Sequence, residues 1–317
     1  MTPTALPRKL SNGPVIGSFT LAGILFAGAA WFAQERPRAV PPAPTPVSGL
    51  AELHEPLPAP QPGDWLAEHH EPGQTFEQYV RHSPIRPDEQ RDKLYIRPIG
   101  EFSDAEQRIV ELCAEYMERY FQIQVVVLET LSDESIPDEA RRVHPSWGVA
   151  QILTTHVLDE VLAPNLPDDA VACIAFTSSD LWPGDGWNFV FGQASLRERV
   201  GVWSIARNGD AEIAFELCLR RTLKTATHET GHMLSLRHCI AWHCNMNGSN
   251  SRQEADRQPL WACPECERKL CWSTGSDSVT RYEDLLSFCA ATEGLEREAT
   301  FFKRSIESLR ASRVQDE

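Results

Sequence analysis

The residues with chemistry to offer crowd into one stretch, TATHETGHMLSLRHCIAWHCNM, residues 225–246. His228 and His232 are four apart, so on a helix they share a face one turn apart and both imidazoles can reach one ion. Glu229 sits beside the first histidine, at the edge of that face. There it can take a proton from a metal-bound water, the HExxH arrangement. His238 follows six residues later. A continuous helix would carry it off the metal face, so the chain must turn after His232 to return it. Three neutral imidazoles leave one position open for water, as a catalytic zinc requires. A helix with surface histidines is the bland alternative, and the further ligands downstream weigh against it.

The cysteines give a second signal. Of nine, five lie between Cys239 and Cys271. Cys239-x4-Cys244 and Cys263-x2-Cys266 form two short-spaced pairs, which suit a closed tetrahedral zinc. Disulfides are the rival reading if the domain faces an oxidising compartment. Cys271 and His243 are alternative ligands. Cys113, Cys173, Cys218 and Cys289 lie in apolar contexts and read as core.

HETGHMLSLRHC resembles the extended HExxHxxGxxH pattern of the metzincin metallopeptidases. The cysteine directly after the third histidine, followed by Cys244, Met246 and the Cys263–Cys266 pair, resembles the archaemetzincins in particular. The resemblance covers about residues 90–275 and takes in WNFVFGQASL, the helix leading into HExxH, and ERKL after the last cysteine pair. It implies a zinc metallopeptidase acting on peptides or proteins. By that resemblance His228, His232 and His238 hold a catalytic zinc, and Glu229 is the general base that later protonates the leaving amine. Cys239, Cys244, Cys263 and Cys266 hold a structural zinc, giving two ions per chain. Met246 packs beneath the histidines, and an extended peptide pairs with a strand edging the cleft, within residues 176–194. One residue departs from the pattern: Ser235 stands where the family has glycine. It must enter the left-handed conformation, at a cost of about 1 kcal/mol, or turn another way.

Two other function classes fit parts of this pattern. A zinc-stabilised, membrane-tethered binding module without catalysis would not need Glu229 beside all three histidines. A zinc-ribbon nucleic-acid binder would suit the cysteine pairs alone. However, the formal charge of −15 argues against a phosphate backbone as partner.

Elements must position these residues. Residues 93–100 read as a strand and 103–121 as an amphipathic helix, with Ser103 and Glu106 at capping-box spacing. Ile109, Leu112, Cys113, Tyr116 and Tyr120 give its apolar stripe. A strand follows at 123–131, a second helix at 148–164 and a third strand at 170–181. WNFVFGQAS and VGVWSIAR read as two shorter strands. A long helix at 210–236 then carries HExxH, with apolar positions at 213, 217, 219, 223, 226 and 233. Helices between strands imply crossovers and a partly parallel sheet. The tail, about 279–312, reads as amphipathic helix. Together with the resemblance, this gives an α/β class: a zincin-like twisted mixed sheet with a HExxH helix and a small, zinc-stabilised, mainly helical C-terminal subdomain.

Upstream, residues 15–33 carry no charge and are flanked by Arg8, Lys9, Glu35, Arg36 and Arg38. Residues 1–35 therefore read as an uncleaved single-pass membrane anchor in preference to a cleaved signal. Residues 36–64, rich in proline and alanine, read as an extended tether, and residues 65–317 as the peptidase domain, a monomer.

Overall fold

The computed structural model describes residues 47–315. A 3-10 helix, Ser48–Leu53, comes first, followed by α1 (Trp65–Glu68) and α2 (Phe76–Arg81). Next come β1 (Lys93–Ile99), α3 (Asp104–Phe121), β2 (Gln124–Val127), β3 (Arg141–Val143) and β4 (Ala150–Leu153). α4 (Thr154–His156) runs on through further helical turns to Asn165 and leads into β5 (Ala170–Thr177). After β6 (Asp180–Trp182), β7 (Gly192–Ser195) and β8 (Val200–Ser204) the chain enters α5 (Phe215–Met233). The last helices are α6 (Arg252–Arg257), α7 (Pro264–Thr274), α8 (Ser278–Ala291) and α9 (Glu296–Gln315).

The main sheet has the order β2-β1-β5-β8-β7; β7 is antiparallel to β8 and the other pairs are parallel. β5, AVACIAFT, is buried at every position, as a central parallel strand covered on both faces must be. Its alternate residues sort into two layers. Ile174 and Phe176 join Leu94 and Ile96 under α3 and α5. Cys173 and Ala175 join Tyr95, Val157 and Leu158 on the opposite face. The mixed α/β class is as expected. α3 carries the expected capping box: Glu106 N donates to Ser103 Oγ (3.2 Å) and Ser103 N to Glu106 Oε2 (2.9 Å). All five residues of its expected stripe are buried.

Some elements differ from expectation. The helix expected at 148–164 begins only at Thr154, because Ala150–Leu153 pairs antiparallel with β3 and parallel with β6 as a second, three-stranded sheet. These neighbours satisfy the backbone of a segment whose apolar spacing alone reads as helical. α5 starts at Phe215, which leaves Ile213 outside the helix and 85% exposed; Leu217 is exposed as well, while Leu219, Leu223, Ala226 and Met233 are buried.

Residues 47–64, counted above with the tether, are packed on the domain. Leu50 is fully buried, and Leu57 N donates to Ala241 O (2.9 Å). His54 lies between Leu50 O (2.8 Å from Nδ1) and Ala262 O (3.1 Å from Nε2). Ser308 Oγ donates to Gly49 O, and a Cβ on Gly49 would fall 2.3 Å from Ser312 Oγ and 3.0 Å from Ser308 O, so glycine lets this turn lie against α9 without displacing them. The apolar run 15–33 and residues 36–46 lie outside the described residues. The expected membrane placement is corrected: among the described residues no helix is long and apolar enough to cross a membrane. Even the long helices α5 and α9 carry Arg, Lys and Glu along their length.

Candidate metal centre

α5 delivers His228 and His232 to one face and stops at Met233. Ser235 then takes φ +70°. Its N–H donates to His232 O (2.8 Å) and Leu236 N donates to Gly231 O (3.0 Å), the paired bonds of a Schellman turn. The turn sends the chain back, as the spacing demanded. The His238 ring centroid lies 5.4 Å from that of His228 and 4.8 Å from that of His232. One ring nitrogen from each of the three lies within 4.8 Å of the others, and the Nε2 atoms of His228 and His232 are 3.0 Å apart. The strain of the left-handed serine, about 1 kcal/mol, is offset by contacts from upstream. Ile85 N donates to Ser235 Oγ (3.0 Å), Gln74 Nε2 to Ser235 O (3.3 Å) and the Tyr79 hydroxyl to Leu234 O (2.8 Å).

The outer ring nitrogens are each tied down. His228 Nδ1 lies 2.7 Å from Asn245 O, His232 Nδ1 lies 2.6 Å from Leu236 O, and His238 Nδ1 lies 2.9 and 3.0 Å from the two oxygens of Glu71. These acceptors place the proton on Nδ1 and leave Nε2 free to ligate. Burial lowers the pKa of His228 and His232 to about 3, so both are neutral, the form that binds metal. Glu71 stands 167 residues from His238 in sequence, and no motif pointed to it. Burial raises its carboxyl, but the hydrogen bond and charge of His238 outweigh this and hold it below the usual range. Trp65 completes this corner: its Nε1 donates to Glu71 (3.0 Å) and its ring meets His238 edge-on at 5.2 Å.

Met246 is buried beneath the histidines. A Cβ on Gly231 would lie 2.6 Å from its sulfur, so the glycine inside HETGH lets the methionine reach the helix between the two ligand candidates. Burial raises the pKa of the Glu229 carboxyl, with His232 and His238 opposing. Glu229 and His228 line one cavity, together with Phe191, Lys224, Arg252 and Gln258.

The second cluster is closed. The sulfurs of Cys239, Cys244, Cys263 and Cys266 lie within 4.8 Å of one another, and all four residues are buried. Cys244 Sγ accepts from Met246 N (3.4 Å) and Cys263 N (3.2 Å), and Cys263 Sγ accepts from Cys266 N (3.5 Å) where it caps α7. Hydrogen bonds from the neighbouring thiols hold the Cys239 thiol far below its usual range. Burial pushes Cys244 up, and hydrogen bonding to Cys239 pushes Cys266 up. Four converging sulfurs with backbone N–H donors suit a structural zinc. All nine cysteines are free in this structure, and the sulfurs of Cys239 and Cys263 lie 3.6 Å apart. Cys271 sits apart, bonded to Glu267 (3.3 Å) and Ser278 (3.2 Å), and His243 joins neither cluster. Asn247 ties the loop together: its Nδ2 donates to Cys239 O (2.7 Å) and its Oδ1 accepts from Cys244 N (2.8 Å).

Residues 148–271 match the family model for peptidase family M54. The chain is 36% identical over 250 residues to Archaemetzincin-2 of Rattus norvegicus, covering 68% of this chain and 69% of that protein. It is 33% identical over 180 residues to the archaemetzincin of Archaeoglobus fulgidus, covering 56% of this chain and 98% of the other. The crystal structure of the A. fulgidus protein, complexed with malonate, shares 32% identity over 56% of this chain and 99% of its own, with a TM-score of 0.45.

Proposed function

This chain belongs to the archaemetzincin family and is a zinc metallopeptidase; from that premise we propose that it cuts peptide bonds at the His228–His232–His238 cluster, with Glu229 as general base, and that it holds two zinc ions. The observation that carries this reading is the convergence of three imidazoles on one space, each tied from behind at Nδ1, with Glu229 on the wall of the adjoining cavity.

Bound zinc supplies a Lewis acid that polarises the scissile carbonyl and makes water a stronger nucleophile at neutral pH. His228, His232 and His238 would hold it through Nε2. The Glu229 carboxylate accepts a proton from the attacking water and delivers it to the leaving amine nitrogen. Burial raises its proton affinity and so suits it to both halves of that transfer. β7 pairs only with β8 in its sheet, so its outer edge can take an extended peptide. The sulfurs of Cys239, Cys244, Cys263 and Cys266 would hold the second zinc and fix the loop that presents the adjacent His238.

The test is zinc per chain by elemental analysis, with peptide hydrolysis read in parallel. Wild type should hold two ions, Glu229→Ala two and His228→Ala one. Hydrolysis should fall by about 10²- to 10⁴-fold in Glu229→Ala. One ion in wild type, unchanged in His228→Ala, would mean that only the cysteine site fills. Full activity in Glu229→Ala would remove the general-base role.

A further inference from the structure

The cavity beside Glu229 and His228 has an uneven balance of charge. Its lining includes three cations, Arg221, Lys224 and Arg252. The charge of Arg221 is matched: its guanidinium grips Asp256 with two bonds, 2.9 and 2.6 Å. The other two have no carboxylate partner among the described residues. Arg252 lies over the Phe191 ring at 4.1 Å and donates Nη2 to Arg207 O (2.9 Å). Lys224 donates to two backbone carbonyls, Ala255 O and Gln258 O, both at 2.6 Å. An ammonium has three N–H donors, so one is left over. Burial lowers the pKa of Arg252 to about 10 and of Lys224 to about 8, so both stay predominantly cationic at neutral pH. Glu229 is the remaining carboxylate on the cavity wall, and the reaction uses it. The nearby carboxylate Asp256 acts on both but is already gripped by Arg221, so in a chain of net charge −15 this cleft keeps an excess of positive charge that suits a ligand anion.

We propose that this cavity takes a carboxylate of the substrate close to the bond being cut, with Arg252 as the specificity-determining residue and Lys224 as the second cation. The proposal rests on the peptidase reading above. A charge-assisted bond in a partly desolvated cavity is stronger than a neutral one. A substrate lysine there would instead meet like charge. The carboxylate can come from an Asp or Glu side chain or from a peptide C-terminus.

The test uses the full chain with zinc bound and matched peptides carrying Glu, Gln or Lys beside the cleaved bond. Each is made with a free and an amidated C-terminus. Wild type should favour Glu over Gln by about tenfold or more in kcat/KM, with Lys poorest. The Glu/Gln ratio should approach one in Arg252→Gln, stay partly intact in Arg252→Lys and turn in favour of Lys in Arg252→Glu. A preference that follows the free C-terminus and is lost in Arg252→Gln would assign the cavity to a terminal carboxylate. Zinc content and melting temperature show that each variant is folded, and Arg252→Lys preserves the test if the glutamine variant is not. Equal turnover of all carboxylate and neutral peptides by wild type overturns the proposal, as does a ratio unchanged in Arg252→Gln. If no peptide is cut, the peptidase reading fails and binding decides the cavity. Fluorescence anisotropy with the same labelled peptides then supports the proposal if affinity favours Glu and depends on Arg252, and overturns it if it does not.

Discussion

The histidine and cysteine clusters touch through adjacent residues, His238 and Cys239, yet they are built in opposite ways. The cysteine cluster is buried on all sides, and the donors to its sulfurs come from residues 241–266, the cluster's own loops. It carries its own support. The histidine cluster opens onto a cavity and is held from behind by three separate acceptors: Asn245, Leu236 and the distant Glu71. A closed site needs only to exclude water and satisfy its ligands. An open one gives up a side to substrate, so its ligands must be fixed from the remaining directions.

This contrast can be broken at its strongest point first. Cys244→Ser should release the cysteine-site zinc, whose binding in structural sites is worth about 10 kcal/mol or more. The loop that presents His238 should be lost with it. Circular dichroism melting and zinc counting should therefore show both sites failing together. A variant that melts normally and still fills the histidine site would show that the two are independent. Glu71→Ala should leave the cysteine zinc in place and weaken zinc at the histidines by about 10- to 100-fold. Competition with a chelator reads this directly, and Glu71→Gln, which keeps an acceptor oxygen, should fall between. Equal loss from both sites would erase the distinction. Ser235→Gly should have the smallest effect. It relieves about 1 kcal/mol of strain and gives up a hydrogen bond worth about as much. Denaturant unfolding should therefore shift stability by less than about 1 kcal/mol. A larger loss would mean that the bond from Ile85 N carries more of the turn than its strain cost suggests.

Legibility in the sequence follows the range of the interactions. His228, Glu229 and His232 are set by helix spacing, Ser103 and Glu106 by a local cap, and the cysteines by short loops, so all could be read. The return of His238 could be read too, because six residues on a continuous helix would place it elsewhere. Glu71 could not, since its partner is 167 residues away. β4 was hidden because its identity as a strand comes from pairing with β3 and β6, not from its own spacing. Residues 47–64 were hidden for another reason. Proline-rich chain is extended whether it spans solvent or lies on a surface, and only contacts such as Leu50 against the core tell these apart. The cationic cavity is likewise a sum over α5, α6 and the residue preceding β7, with no motif in any one of them.

The turn at Gly49 lies on the last turns of α9, so the described chain ends where it begins. Pulled from the two ends of its described residues, the molecule would load this clasp in shear before the central sheet. Topologically the described chain is close to a ring. The Ser308–Gly49 hydrogen bond is its fastening, and its failure would release Leu50 and the last helix while leaving the central sheet paired.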